Sequence, residues 1–262
     1  MVAKHALQSL FIIANNAVPL IGVVFYGWSI ATTLVVFWAE TLVNGTANAA
    51  RIYAHRCWTR KRGHFRQHQR DPGKKALAGE PVESGSFLLS YVLVLYPLTL
   101  AHGLFLLGFL AILSQNATAA SASSWWVDFA DLRKGLVMIG LIAALEWLVD
   151  LTRIAHKPFS WLKKRVDRSL GRVLILHLGL LGGPVLLVKF ETPVIFLAVI
   201  VALKTLVELV ASNADRPLPT EPPRWFAYAA KKTDHDASEE WAQLLAIETR
   251  QSEEDEMVLE SA

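Results

Sequence analysis

Apolar residues in this chain gather into runs of about 20, separated by short polar or basic stretches. At 1.5 Å per helical residue, such a run matches a hydrocarbon core about 30 Å thick. The pattern predicts six spans, at residues 6–25, 29–53, 86–113, 135–155, 171–189 and 192–212. All six are read as helices, because an open sheet edge in lipid would leave backbone groups unpaired. Asn15, Asn16 and Pro19 interrupt the first span. A cleaved signal peptide, with Lys4 as its n-region and Ala17 near the cleavage site, competes there but fits poorly, since two Asn are unusual in such a segment.

The apolar pattern stops near residue 212, which divides the chain into a membrane domain, 1–212, and a cytoplasmic tail, 213–262. Arg216-Pro217-Leu218-Pro219-Thr220-Glu221-Pro222-Pro223 reads as an extended linker, because successive prolines disfavour helix. Asp236 and Glu239 resemble a capping box ahead of Trp241, Leu244 and Leu245, predicting a short amphipathic helix over 237–250. The acidic Glu253-Glu254-Asp255-Glu256 is expected to be disordered. Either it is a solvated tail or it docks on the basic cytoplasmic loops.

Composition agrees with the spans: 53% of the residues are hydrophobic and mean hydropathy is +0.35, too apolar for an ordinary soluble domain. Charge then orients them. Arg51, Arg56, Arg60, Lys61, Arg62, Arg66, Arg70, Lys74 and Lys75 follow the second span, and Arg153, Lys157, Lys163, Lys164, Arg165, Arg168 and Arg172 follow the fourth. Both stretches should be cytoplasmic, whereas the alternate connections are short or nearly neutral. Both termini then lie inside, with Trp28, Trp125 and Trp126 as an outer aromatic belt and Trp58 and Trp161 as an inner one. Arg56, Arg60, Lys61 and Arg62 lie directly under a span, where each cation gains about 1 kcal/mol from anionic lipid headgroups. Nucleic-acid binding is a poor reading of the same charge, because no recognised domain accompanies it.

Three candidate sites of chemistry sit inside the apolar runs. Glu40-Thr41-Leu42-Val43-Asn44, Glu146-Trp147-Leu148-Val149-Asp150 and Lys204-Thr205-Leu206-Val207-Glu208 share a pattern, each on the second helix of a hairpin, which suggests three repeated hairpins. An ionisable group at the bilayer centre costs about 2.5 to 3.5 kcal/mol and calls for a partner or a function. Glu40, Glu146 and Lys204 each fall some ten to twelve residues into their span, at matched depth. If the helices adjoin, Lys204 bridges both acids and leaves one unit of negative charge, which favours a shared proton or a bound cation. Asn44, Asp150 and Glu208 lie one turn nearer the cytoplasm, with Arg153 and Lys204 as local partners of the last two. The seam can be a structural clamp, a proton or ion pathway, or a catalytic site. His102 and His177, within the third and fifth spans, are candidate proton relays or simple interhelical hydrogen bonders.

Other chemistries are disfavoured. Among His55, His64 and His68 an H-x-x-x-H spacing occurs, but the surrounding Arg and Lys repel a metal ion. No nucleophile elbow, phosphate loop or His-Glu-x-x-His is present, and Glu83-Ser84-Gly85-Ser86 only loosely resembles an intramembrane serine-protease signature. The sole cysteine, Cys57, excludes an intrachain disulfide. Asn116-Ala117-Thr118 is a sequon in a predicted outer loop.

Asn16-x-x-Pro19-x-x-Gly22, Gly27-Trp28, Phe37-Trp38-x-Glu40, Glu146 and Leu203-Lys204-Thr205 together resemble a bacterial multi-pass membrane family, the domain of unknown function 6498. The resemblance runs to about residue 212, with Glu208 where aspartate is expected. It implies a membrane location, offers no activity, and marks Glu40, Glu146 and Lys204 as positions that match its pattern. The expectation is an all-α, six-span polytopic bundle of the bacterial inner membrane, with no cofactor or metal. Its leading function is a small proton- or cation-linked transporter or channel, with Glu40 and Glu146 as carriers and Lys204 as counter-charge. A membrane-embedded enzyme with a carboxylate base, and a structural subunit of a membrane complex, are the alternatives.

Overall fold

The computed structural model describes residues 2–65, 85–115, 125–171, 173, 198–199, 201–206, 221–223, 226, 228 and 237–259. Among them the chain is all-α, with helices α1 (Val2–Tyr26), α2 (Ile30–Thr59), α3 (Phe87–Gln115) and α4 (Phe129–Leu151). Helix α5 covers 159–171, α6 covers 201–206, and α7 spans Ala237–Glu256. The expected spans 171–189 and 192–212 lie mostly outside the described residues, as do His68, the sequon, His177 and Glu208.

Helix α1 runs through Asn15, Asn16 and Pro19 without a break. It ends at Gly27, whose φ of 66° is a left-handed conformation that glycine adopts without a Cβ clash. The chain then folds back, Trp28 N–H donating to Gly22 O at 3.0 Å. A Cβ on Gly22 would lie 2.1 Å from the Trp28 ring, so Gly22 is the hole that receives the indole. Trp28 is consequently 4% exposed and packs with Val18, Val36 and Ile139. The expected outer belt is corrected there: Trp28 is core, while Trp126 at the same end is exposed.

Helix α2 is the central post, packed against α1, α3 and α4. Ser29 caps it by accepting from Thr32 N–H at 3.0 Å and also reaches Trp126 O at 2.6 Å. Asp128 caps α4, accepting from Ala130 and Asp131 N–H, and its own N–H donates to Thr32 Oγ1. The N-terminal ends of α2 and α4 are thereby laced side by side, running in the same direction.

Helix α3 buries the stripe Phe87, Tyr91, Leu95, Thr99, His102, Leu106 and Leu110, the three-or-four spacing of one helix face. Its other face leaves Leu89, Leu93, Leu100, Leu104, Leu107 and Ile112 exposed. Two helices, Ile30–Thr59 and the Phe87–Ile112 part of α3, are long and apolar enough to cross a membrane. Ile12–Tyr26 is a shorter apolar stretch, and α4 falls short because Asp131, Arg133, Lys134, Glu146 and Asp150 crowd its 23 residues.

The end of the bundle at the C-terminus of α2 is closed by α5, whose Phe159, Leu162 and Val166 pack on Ile52 of α2 and on Phe87, Tyr91 and Leu95 of α3. The 3-10 turn Arg62–Phe65 follows α2. A Cβ on Gly63 would sit 2.4 Å from the Phe159 ring, so that turn packs directly on α5. Helix α7 extends to Glu256 and includes residues 253–256, which the sequence suggested were disordered. An acidic helix end is stabilised here by what it touches: Glu256 meets Lys61 and the start of α5.

Candidate functional site

One face of α2 carries Glu40, Asn44, Asn48, Arg51 and His55, all buried. Their spacing keeps them within about 80° of helix circumference while they descend about 22 Å. The stripe faces α4, α5 and α6, which supply its partners. An open apolar groove between α2 and α4, lined by Leu42, Val43, Ala47, Gly140, Ala143 and Trp147, lies on another face of α2 and takes no part.

At the upper level Lys204 of α6 donates from Nζ to Glu40 Oε2 at 2.5 Å, with both side chains 2% exposed. The ammonium also lies 5.0 Å from the Phe37 ring centroid, where the ring face attracts a cation. Asn44 Nδ2 donates to the other carboxylate oxygen at 3.3 Å.

At the lower level four charges meet. Arg51 Nε binds Asp150 at 2.9 Å, and its Nη2 lies 3.5 Å from Glu146. Arg165 of α5 reaches both acids, Asp150 at 3.0 Å and Glu146 more closely. Asn48 Oδ1 accepts from Arg51 Nη1 at 3.0 Å and from Arg165 Nε at 3.3 Å. The Arg165 guanidinium stacks on Trp161, 5.3 Å from the ring centroid.

The expected single cluster is therefore divided. Glu146 pairs with Arg51, eleven residues below Glu40 on α2, a drop of about 16 Å. Matched depth fails because α4 begins at Phe129, earlier than its apolar pattern indicates, which puts Glu146 near its C-terminal end. Each level is neutral if all its groups ionise, one acid with one lysine and two acids with two arginines, so the expected surplus negative charge is absent from the described groups. Asp150 takes Arg51 and Arg165 rather than Arg153, which is exposed. Of the candidate relays, His102 is buried and donates from Nδ1 to Leu98 O on its own helix.

Arg51, Arg165 and Asn48 are site residues that the charge pattern misassigned or passed over, the arginines having been counted as loop charge. The signal that reveals them is the α2 periodicity, which continues from Glu40 and Asn44 through Asn48, Arg51 and His55.

Below the four charges lies a buried imidazole pair. His55 Nε2 faces Lys157 O at 3.0 Å and must donate, which leaves Nδ1 to accept from His64 Nε2 at 2.7 Å. His64 Nδ1 is then a bare buried acceptor. Burial, followed by the nearby His55, Arg56 and Lys61, pushes the His64 pKa down to about 3. The facing nitrogens share a proton, a geometry that leaves no room for a common metal ion between them. Among the described residues no group of three or more His, Cys, Asp or Glu could hold a metal. Of the residues expected to meet anionic lipid, Arg60 and Arg62 are exposed, Arg56 stacks on Phe65, and Lys61 is taken by Glu256.

Fold and site define an all-α bundle threaded by a buried polar stripe whose described charges balance in two layers. The chain belongs to the family of unknown function DUF6498, matched over residues 2–224. No curated protein and no solved structure matches it.

Proposed function

We propose that this is a six-span protein of the bacterial inner membrane, with both termini cytoplasmic, in which the polar stripe of α2 carries protons or small cations. Glu40 is the carrier carboxylate and Lys204 its tethered counter-cation; Glu146 and Asp150, held by two arginines, form the inner mouth. The observation that carries this reading is the buried file of Glu40, Asn44, Asn48, Arg51 and His55 leading from the Glu40–Lys204 ion pair to the basic inner end. Packing alone is served as well or better by apolar side chains, since a buried ion pair gives back much of its attraction in desolvation. An ionisable residue kept inside a membrane helix is by default functional. The outward leucines of α3 support the location, being at home in lipid and unfavourable in water.

Glu40→Gln in liposomes loaded with a pH-sensitive dye tests the carrier role. Flux in the wild type that falls to background in the variant is expected; equal flux in both refutes it. A second reading is favoured by one observation, that Glu40 and Lys204 are mutually bonded and both buried. In that reading the charges staple helices of a structural subunit, and the wild type itself passes neither protons nor cations.

A further inference from the structure

The C-terminal end of α7 is fastened across the two loops at the inner ends of α2 and α5. Glu256 Oε2 pairs with Lys61 Nζ, which also donates to Lys157 O at 3.0 Å. Its Oε1 accepts the backbone N–H groups of Phe159 and Ser160, the first residues of α5. Pro158, which precedes that helix, has no side-chain acceptor to cap it. The cap arrives instead from a residue almost a hundred positions away.

Two further backbone bonds continue the attachment. Arg62 N–H donates to Met257 O at 2.7 Å and Leu259 N–H donates to Arg60 O at 3.1 Å, which together make an antiparallel bridge between Lys61 and Val258. Met257, Val258 and Leu259 are 52%, 63% and 41% exposed. The attachment thus rests on one carboxylate and a few backbone bonds, with little apolar burial to anchor it. Segments held in this way open locally at a free energy well below that of global unfolding.

We propose that residues 256–259 form a releasable latch that sets the inner charge layer. Docked, Glu256 fixes the start of α5, and Arg165, less than two turns further on, closes over Glu146 and Asp150. Released, the first turns of α5 loosen and the two acids keep Arg51 while losing Arg165. The Lys61 and Glu256 side chains are partly exposed, so high ionic strength weakens the latch. This device goes beyond the transport reading and stands whether or not the protein carries an ion.

Hydrogen exchange of the full-length protein in detergent, followed by peptide mass, tests it. Glu256→Ala should speed exchange over residues 159–165 by about tenfold or more, as expected when charge-assisted bonds are lost. Glu256→Gln should fall between, because its carbonyl still accepts the N–H groups without the charge. Glu248→Gln, an exposed change of equal charge on α7, should match wild type. Unaltered exchange over 159–165 in Glu256→Ala overturns the proposal. Equal acceleration in α3 overturns it as well, since Glu256 would then support the whole fold and not a latch.

Discussion

Replacing Lys204 by methionine leaves Glu40 buried opposite an apolar side chain, and the size of the effect follows from the geometry. Unit charges 2.5 Å apart attract by about 6 to 7 kcal/mol at an effective dielectric of about 20. Desolvation of the two groups takes back much of that, so the intact pair contributes little net stability. Removing one partner leaves the desolvation of the other uncompensated, which destabilises by about 3 to 5 kcal/mol. Glu40→Gln, which orphans the ammonium, should cost a similar amount. The double variant Glu40→Gln, Lys204→Met removes both charges and should cost no more than about 1 kcal/mol, so the coupling, the two single losses less that of the double, comes to about 5 to 9 kcal/mol. Unfolding by denaturing detergent, read by tryptophan fluorescence, supplies the four free energies of the cycle. Additive losses, or single variants within about 0.5 kcal/mol of wild type, would refute the buried pair.

Two further outcomes follow. His64 holds its proton only below about pH 3 when folded and near 6.5 when unfolded, so the unfolded chain binds more protons between those values. Stability should be full above about pH 6.5 and fall as the pH drops toward 3; His64→Leu should flatten that fall in pH-dependent melting curves, and an identical acid slope in both proteins would contradict the buried imidazole. Cys57, the sole and exposed cysteine, tests orientation: a membrane-impermeant maleimide should label it in inside-out vesicles and spare it in intact spheroplasts, whereas labelling of intact spheroplasts would reverse the topology.

The motif residues were legible in the sequence to different degrees. Glu40 and Lys204 could be singled out because charge inside a long apolar run is conspicuous, but opposite sign alone had Lys204 bridging both Glu40 and Glu146, whereas it pairs with Glu40. The role of Gly22 could not be read, since nothing local says that the Trp28 indole returns to fill its place. Glu146 was found but placed at the wrong level, because the polar start of α4 hid where that helix begins. Arg51 and Arg165 were taken as loop charge because a count of basic residues carries no direction, and direction is what separates a solvated arginine from one that binds two carboxylates.

The sequence by itself determined the all-α character and the placing of Glu40 and Lys204 inside apolar runs, since these depend on residue type and helical spacing. Partner choice was decided only by tertiary structure. The register between α2 and α4 sends Glu146 to Arg51 and leaves Glu40 with Lys204, and the return of α7 gives Glu256 to Lys61 and the start of α5. The physical reason is range: an apolar run fixes what one helix buries, but ion pairs and caps form between groups brought within about 3 Å, and helix register places them there.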